Sequence, residues 1–248
     1  MDYIFGIRAV IEAIEAGKDI DKIYIKKDLQ GDLAKELFEL IHKRHIVTQR
    51  VPIERINRIT RKNHQGVVAF LSAVTYHKLD EVIPALYEEG VMPFVVVLDG
   101  ITDVRNFGAI ARTCECAGVN AIVIPERGSA SVNADAVKTS AGALHHIPVC
   151  REYNLTGAVR TLKDNGYKIV AASEKADINY TQADYTTPVA LVMGAEDVGI
   201  SAEVLRLCDT FVSIPLFGHI SSLNVSVAAG IMMYEVVRQR LNADMEVI

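Results

Sequence analysis

From Pro93 onward, near-continuous apolar runs alternate with amphipathic stretches. FVVVLDG, NAIVIP, HHIPVC, YKIVAAS, PVALVMG and FVSIPL read as buried strands. Between and after them, NFGAIARTCECAG, NLTGAVRTLKDNG, SAEVLRLC and SLNVSVAAGIMMYEVVRQRL read as helices, and SVNADAVKTSAGA as a helix and turn. Such alternation predicts an α/β fold whose parallel sheet is covered on both faces. The chain before it reads as a smaller α/β unit. GIRAVIEAIEAG has helical spacing with Gly17 as its stop, DKIYIKK alternates like a strand, and DLAKELFELIHKRH is an amphipathic helix. IVTQRV is a strand, PIERINRIT opens with Pro at a helix start, and NHQGVVAFLSAV is a closing strand entered through Gly66. The stretch YHKLDEVIPALYEEG, with Pro84, reads as a helix-like connector. The expected division is a small domain over 1–76, a linker over 77–92 and a larger domain over 93–248.

Composition narrows the class. Half of the 248 residues are hydrophobic, ample for a core, yet no run of 18 or more uninterrupted apolar residues exists, so no membrane span is expected. The N-terminal stretch lacks a basic region followed by an apolar block, so no signal peptide is expected. Cys114, Cys116, Cys150 and Cys208 show no C-x-x-C spacing. No metal is expected, Cys114 and Cys116 read as small apolar helix positions, and the expected compartment is the cytoplasm.

The net charge of −5 argues against a nucleic-acid binder until it is divided. Residues 1–78 hold 14 Lys/Arg against 10 Asp/Glu, a net +4; residues 79–248 hold 12 against 21, a net −9. Within Lys43–His64 there are seven basic residues and one acid, Glu54. Arg55, Arg58 and Arg61 recur at three-residue spacing, which places them on one side of a helix if the segment is helical; Lys62 follows. A basic stripe on an acidic chain fits a phosphate backbone, and equally a solvated face.

Ligands of parallel sheets sit beyond the carboxyl ends of the strands. Three such ends are polar and contain glycine: LDGITDVRNFG, MGAEDVGIS and PLFGHISSLN. None is a G-x-G-x-x-G fingerprint or a P-loop. Asn106 reads equally as a helix cap or a functional amide. Arg112, in the first turns of its helix, suits a phosphate or carboxylate. Gly194 and Gly199 permit positive φ or close backbone approach, and Glu196 suits a helix N-terminus, a hydroxyl or the arginine. In HISSLNVSVAAG a cap by Ser221 or Ser222 explains one hydroxyl and leaves the other serine and Asn224 without a structural reason.

Together these loops carry a resemblance. NxGAxxR, VMGxExxG and IPxxGxxSSLNVSVAAG resemble the three motifs of SpoU-type RNA ribose 2′-O-methyltransferases, in the SPOUT class. IFGIRAVIEAI and NHQGVVA resemble the small substrate-binding domain attached to many of these enzymes, and KTSAGALHHIPV also looks like the family, so essentially the whole chain is covered. The likeness is greatest to members acting on a guanosine of 23S ribosomal RNA. One departure is that the first motif commonly reads D-P-x-N, whereas here Val104 follows Asp103.

The resemblance implies a C-terminal trefoil knot, a small RNA-binding domain before it, and a homodimer through the catalytic domain. It implies S-adenosylmethionine held by Gly194, Ile214 and Leu223, with Leu216 and Gly218 as neighbours. It places Arg112, Asn106, Glu196, Asn224 and Ser222 around a ribose hydroxyl, and Arg55, Arg58, Arg61 and Lys62 on RNA. The expected activity is 2′-O-methylation of a ribose in RNA, with a 23S ribosomal guanosine as target. A transfer-RNA enzyme of the same class, or a catalytically silent RNA-binding assembly factor, are the alternatives.

Overall fold

The structure, a computed structural model, describes residues 2–246. It divides into two compact units, Met1–Thr75 with Ser131–Ala134, and Tyr76–Ala130 with Asp135–Ile248.

In the first unit β1 (Tyr3–Phe5), α1 (Ile7–Glu15), β2 (Ile20–Lys26), α2 (Asp32–Lys43), β3 (Thr48–Val51), α3 (Ile53–Asn57) and β4 (Val67–Leu71) follow one another. The sheet order is β1-β4-β2-β3, with β4 antiparallel to both neighbours and β2 parallel to β3. Period-two alternation gives each strand two apolar faces. Ile23, Ile25, Val67 and Ala69 pack under Val10, Ile11 and Ile14 of α1 and Leu37 and Ile41 of α2. Tyr24, Val68 and Phe70 turn the other way, toward Val51 and Ile56 of α3. The three-residue β1 and a two-residue β5 (Tyr76–His77) are strands that the apolar pattern does not reveal. Both are too short to establish a period.

The second unit continues from β5 through α4 (Leu79–Glu88), β6 (Phe94–Asp99), α5 (Val104–Cys116), β7 (Ala121–Pro125), α6 (Ala134–Thr139), β8 (Val149–Glu152) and α7 (Leu155–Asp164). It ends with β9 (Lys168–Ala172), β10 (Ile178–Asn179), β11 (Val189–Gly194), α8 (Ala202–Leu205), β12 (Thr210–Ser213) and α9 (Val225–Glu246). The sheet runs β10-β12-β9-β11-β6-β7-β8-β5, and every pairing is parallel. Val95, Val97, Ala190 and Val192 are fully buried, as strands covered on both faces require. No described helix is long and apolar enough to cross a membrane.

Two features fix α9. Asn224 precedes it, and near its other end the Arg240 guanidinium donates to the carbonyls of Met92, Pro93, Tyr185 and Thr187, at 2.8, 2.9, 3.2 and 3.1 Å. These carbonyls precede β6 and β11, so Arg240 ties the helix to the edge of the sheet opposite the glycine-rich loops. Cys114 is buried as the apolar reading expects, but Cys116 is exposed: α5 turns it away from the core.

Candidate active site

The strand order decides which loops can meet. β11 and β6 are neighbours, so the loops after them adjoin. β12 is separated from β11 by β9, and the end of β9 therefore enters the same cluster.

The loop after β11 is narrow. Ala195 and Gly199 exchange backbone hydrogen bonds at 3.2 and 2.9 Å, closing a turn whose exposed tip is Glu196, Asp197 and Val198. A Cβ on Gly194 would collide with the backbone of Gly199 and Ile200, and Gly199 has φ +70°. Asp99, ending β6, fastens the far side by accepting from the Ser201 N–H at 2.7 Å. Glu196 is thus set by geometry in which each glycine has a different job: space at 194, handedness at 199.

On the neighbouring loop, Asp103 caps α5 by accepting from the backbone N–H groups of Arg105 and Asn106 at 2.9 and 2.8 Å. The cap is therefore Asp103, and the Asn106 side chain is released for other work. Val104 occupies the first helical position, so Asp103 caps the helix without the proline that commonly follows it. Gly108 faces α6; a Cβ would lie 2.7 Å from the Thr139 Cβ, so this glycine serves packing.

The third loop supplies the correction to the serine-cap reading. Asn224 caps α9: its Oδ1 accepts from the Ser226 N–H at 3.0 Å and the Ser226 hydroxyl at 2.5 Å. An amide caps as well as a hydroxyl, and it also has an N–H₂ group to offer. Asn224 Nδ2 donates to Asn106 Oδ1 at 3.0 Å and to Glu196 Oε1 at 2.5 Å. Asn106 Nδ2 donates to the same Oε1 at 3.3 Å, and the Val225 N–H does so at 3.1 Å. One carboxylate oxygen thus accepts from all of its three neighbours, while Oε2 has no partner among the described residues. Charge-assisted bonds of this kind hold a carboxylate firmly.

Beside this junction is a cavity. Met193, Val212, Ile214, Leu216, Leu223 and Ala228 give it an apolar wall; Gly194, Glu196 and Ser222 also line it. Of the residues expected around a cofactor, Gly194, Ile214, Leu216 and Leu223 lie here, and Gly218 does not. Gly218 sits on the exposed 214–224 loop with open space around it. Ser173 and Glu174, beyond β9, also line it, and the sequence reading does not include them. The signal was present: KIVAAS ends in a polar SEKAD like the other strand ends, but lacks glycine. An apolar wall with a few polar groups suits a nucleoside bearing an aliphatic chain, with Ser173 and Glu174 able to meet its hydroxyls and ammonium.

Arg112 is not brought to the junction. It is the ninth of thirteen residues in α5, exposed, and without a hydrogen bond or ion pair among the described residues. It lies about 9 Å further along the helix than Asn106 and roughly 120° around it. It stands in the third turn of α5 rather than in the first turns where the sequence reading places it.

The basic stripe also fails as a helix face. α3 spans only Ile53–Asn57, Arg58 is its cap residue, and buried Thr60 turns the chain before Arg61 and Lys62. All four basic residues are exposed, and Arg55 is tied down over Tyr24, 3.0 Å from its hydroxyl and 4.9 Å from its ring centre.

Comparisons with known proteins agree with this arrangement. Residues 93–234 match the SpoU rRNA Methylase family, and residues 3–77 match the RNA 2′-O ribose methyltransferase substrate-binding family. A Staphylococcus saprophyticus protein named as a TrmH-family tRNA/rRNA methyltransferase is 38% identical over 96% of this chain and 95% of its own. A Bacillus subtilis relative named in the same way, YacO, is 36% identical over 96% of both. The crystal structure of an AdoMet-bound rRNA methyltransferase from Sinorhizobium meliloti superposes with TM-score 0.61 and 28% identity, covering 95% of this chain and 86% of that one. The chain belongs to the SpoU/TrmH family of S-adenosylmethionine-dependent RNA ribose 2′-O-methyltransferases.

Proposed function

We propose that this enzyme methylates the 2′-hydroxyl of a guanosine in 23S ribosomal RNA, using residues 93–248 for catalysis and 1–76 to hold RNA. The observation that carries the chemistry is the Glu196 carboxylate, saturated on Oε1 and open on Oε2 beside an apolar cavity. S-adenosylmethionine, when bound there, supplies an activated methyl group. Glu196 Oε2 accepts the hydrogen bond of the ribose hydroxyl, holds its oxygen in near-attack geometry and takes its proton. Asn106 and Asn224 orient the carboxylate through the bonds that both donate to Oε1. Ser222, exposed on the cavity rim, is the hydroxyl available to the incoming nucleotide.

Arg112 grips the phosphate next to the target and stabilises developing negative charge. Its distance from the junction of its own chain supports a homodimer in which it serves the junction of a second copy. A stripe on α9 supports the same assembly: Val227, Tyr234 and Leu241, seven residues apart, are 50%, 51% and 58% exposed. The family reading carries a trefoil knot as well. What supports it is the route of the chain, from β11 past β9 to β12 and back to α9, which packs on β11 and α5. The cytoplasm is the compartment that fits an RNA substrate.

The choice of ribosomal RNA rests on the motif resemblance and on the ribosomal activity named for the Sinorhizobium meliloti protein. The curated relatives, named for tRNA and rRNA alike, favour transfer RNA as the second reading. Tritiated methyl transfer to purified ribosomal and transfer RNA, followed by mapping of the modified ribose, decides between them. Label on tRNA alone would overturn the ribosomal assignment. Calorimetry with S-adenosylmethionine tests the silent-factor alternative, which predicts no binding.

A further inference from the structure

In the first unit the NHQG motif builds a loop that the catalytic site does not use. His64 is buried, its Nδ1 accepting from the Gly66 N–H at 3.0 Å and its Nε2 lying 2.8 Å from Asn57 Oδ1, so both ring nitrogens are engaged. Gln65 holds φ +51° and uses its side-chain oxygen to accept from the Ile7 N–H at 3.0 Å. Gly66 holds φ +82°, and a Cβ there would lie 2.9 Å from the Lys26 Cβ. Three of the four motif residues are thus consumed in shaping the loop. The Asn63 amide has no hydrogen-bond partner among the described residues, and it lines an open cavity of about 690 Å³ between the loop and the end of β2. Lys27 and Lys62 line the same cavity without an ion pair among the described residues. The other charges there are Lys26, paired with Asp28 at 3.4 Å, and exposed Glu54.

We propose that this cavity takes an unpaired nucleotide of the RNA substrate, with Lys27 and Lys62 on its phosphates and the Asn63 amide on its base edge. The inference rests on the RNA-methyltransferase reading and adds the place and form of the contact. Two ammonium groups without a carboxylate partner, Lys62 lying 5.7 Å from the Phe5 ring centre, and one free amide lining one cavity match the needs of single-stranded recognition, where phosphates position and base edges specify. An A-form duplex keeps its Watson–Crick edges paired and its major groove too deep and narrow for side chains, and fits poorly. The cavity volume lies within the range of small-ligand sites.

The test uses the full chain and a fluorescein-labelled, mixed-sequence RNA 12-mer, single-stranded or annealed to its complement. The wild type is expected to bind the single strand at least about fivefold more tightly than the duplex. Lys27→Ala/Lys62→Ala weakens that binding at least about tenfold and reduces the slope of log K against log salt by about 1.4, the value for two lost phosphate contacts on a single strand. Asn63→Ala weakens binding about threefold with the salt slope unchanged. S-adenosylmethionine binding stays as in the wild type for all variants. Unchanged affinity and slope in the lysine variant, or equal binding of strand and duplex by the wild type, overturns the cavity while leaving the methyltransferase reading intact. A wild type that binds S-adenosylmethionine but no RNA overturns the cavity assignment as well; failure to bind either ligand overturns the family-based reading beneath it.

Discussion

The Glu196 junction and the Asn63 loop are both made from short polar motifs, but they use their hydrogen bonds in opposite ways. At the junction the conspicuous side chains bind one another, and a single oxygen, Glu196 Oε2, is left over. In the loop the conspicuous residues bind backbone N–H groups and the Asn57 side chain, and an amide with two ammonium groups is left over. The first arrangement suits chemistry, which needs one atom fixed in one place. The second suits recognition, which needs several groups free to meet a charged, flexible chain. What a motif leaves unbonded says more about its role than which residues it contains.

The sharpest way to break this contrast is Glu196→Ala. If Oε2 handles the ribose proton, single-turnover methyl transfer falls by about 10²- to 10⁴-fold while S-adenosylmethionine affinity barely moves. A nearly intact rate would reduce the junction to a scaffold and erase the distinction from the loop. Gly194→Ala comes next. The collision with Gly199 and Ile200 costs about 1–3 kcal/mol in strain, so cofactor affinity should fall about five- to hundredfold in a calorimetric titration. If the alanine variant bound as well as wild type, the tight turn would not be what sets Glu196.

Smaller effects test the supports. Asn224→Ala removes the α9 cap and should cost about 1 kcal/mol, lowering the melting temperature by about 2–4 °C. The same variant should lose more activity than that stability loss accounts for, because it also frees the carboxylate. The weakest effect concerns pH. Hydrogen bonds from Arg238 hold the Glu235 carboxyl below its ordinary range, and bonds from the Thr186 hydroxyl and N–H do the same for Asp184. Depressed values mean that this stabilisation is complete above the unfolded pKa values of about 4.3 and 3.9 and is lost as pH falls through the lower folded values. Circular dichroism melts should therefore weaken below about pH 5, and Glu235→Gln should flatten that dependence.

Much of this was legible in the sequence because it rests on periodicity. The central strands β6, β7, β9 and β11 are buried on both faces and announce themselves as apolar runs, whereas β1, β5 and β10 are two or three residues long and carry no period. The three motif loops could be placed from the rule that ligands lie at the carboxyl ends of strands. Their internal wiring could not. Asp103, Asn106, Ser222 and Asn224 are all plausible caps, and only the geometry assigns the caps to Asp103 and Asn224. The fourth strand end, at Ser173 and Glu174, was hidden because strand order is not written in strand composition. Arg55, Arg58 and Arg61 misled for a related reason: three-residue spacing places side chains together only while the helix lasts, and α3 ends at Asn57.

The two ends of α9 have a consequence for synthesis on the ribosome. Asn224 and the Val225 N–H complete the carboxylate junction, and Arg240 gathers four carbonyls at the opposite edge of the sheet. α9 emerges after every strand it fastens. The first unit, whose strands and helices are all present within the first 75 residues, can close while translation continues. The catalytic unit must wait with Glu196 unheld and the strand ends unclamped. Nascent chains would therefore acquire the first unit well before the Glu196 junction is assembled.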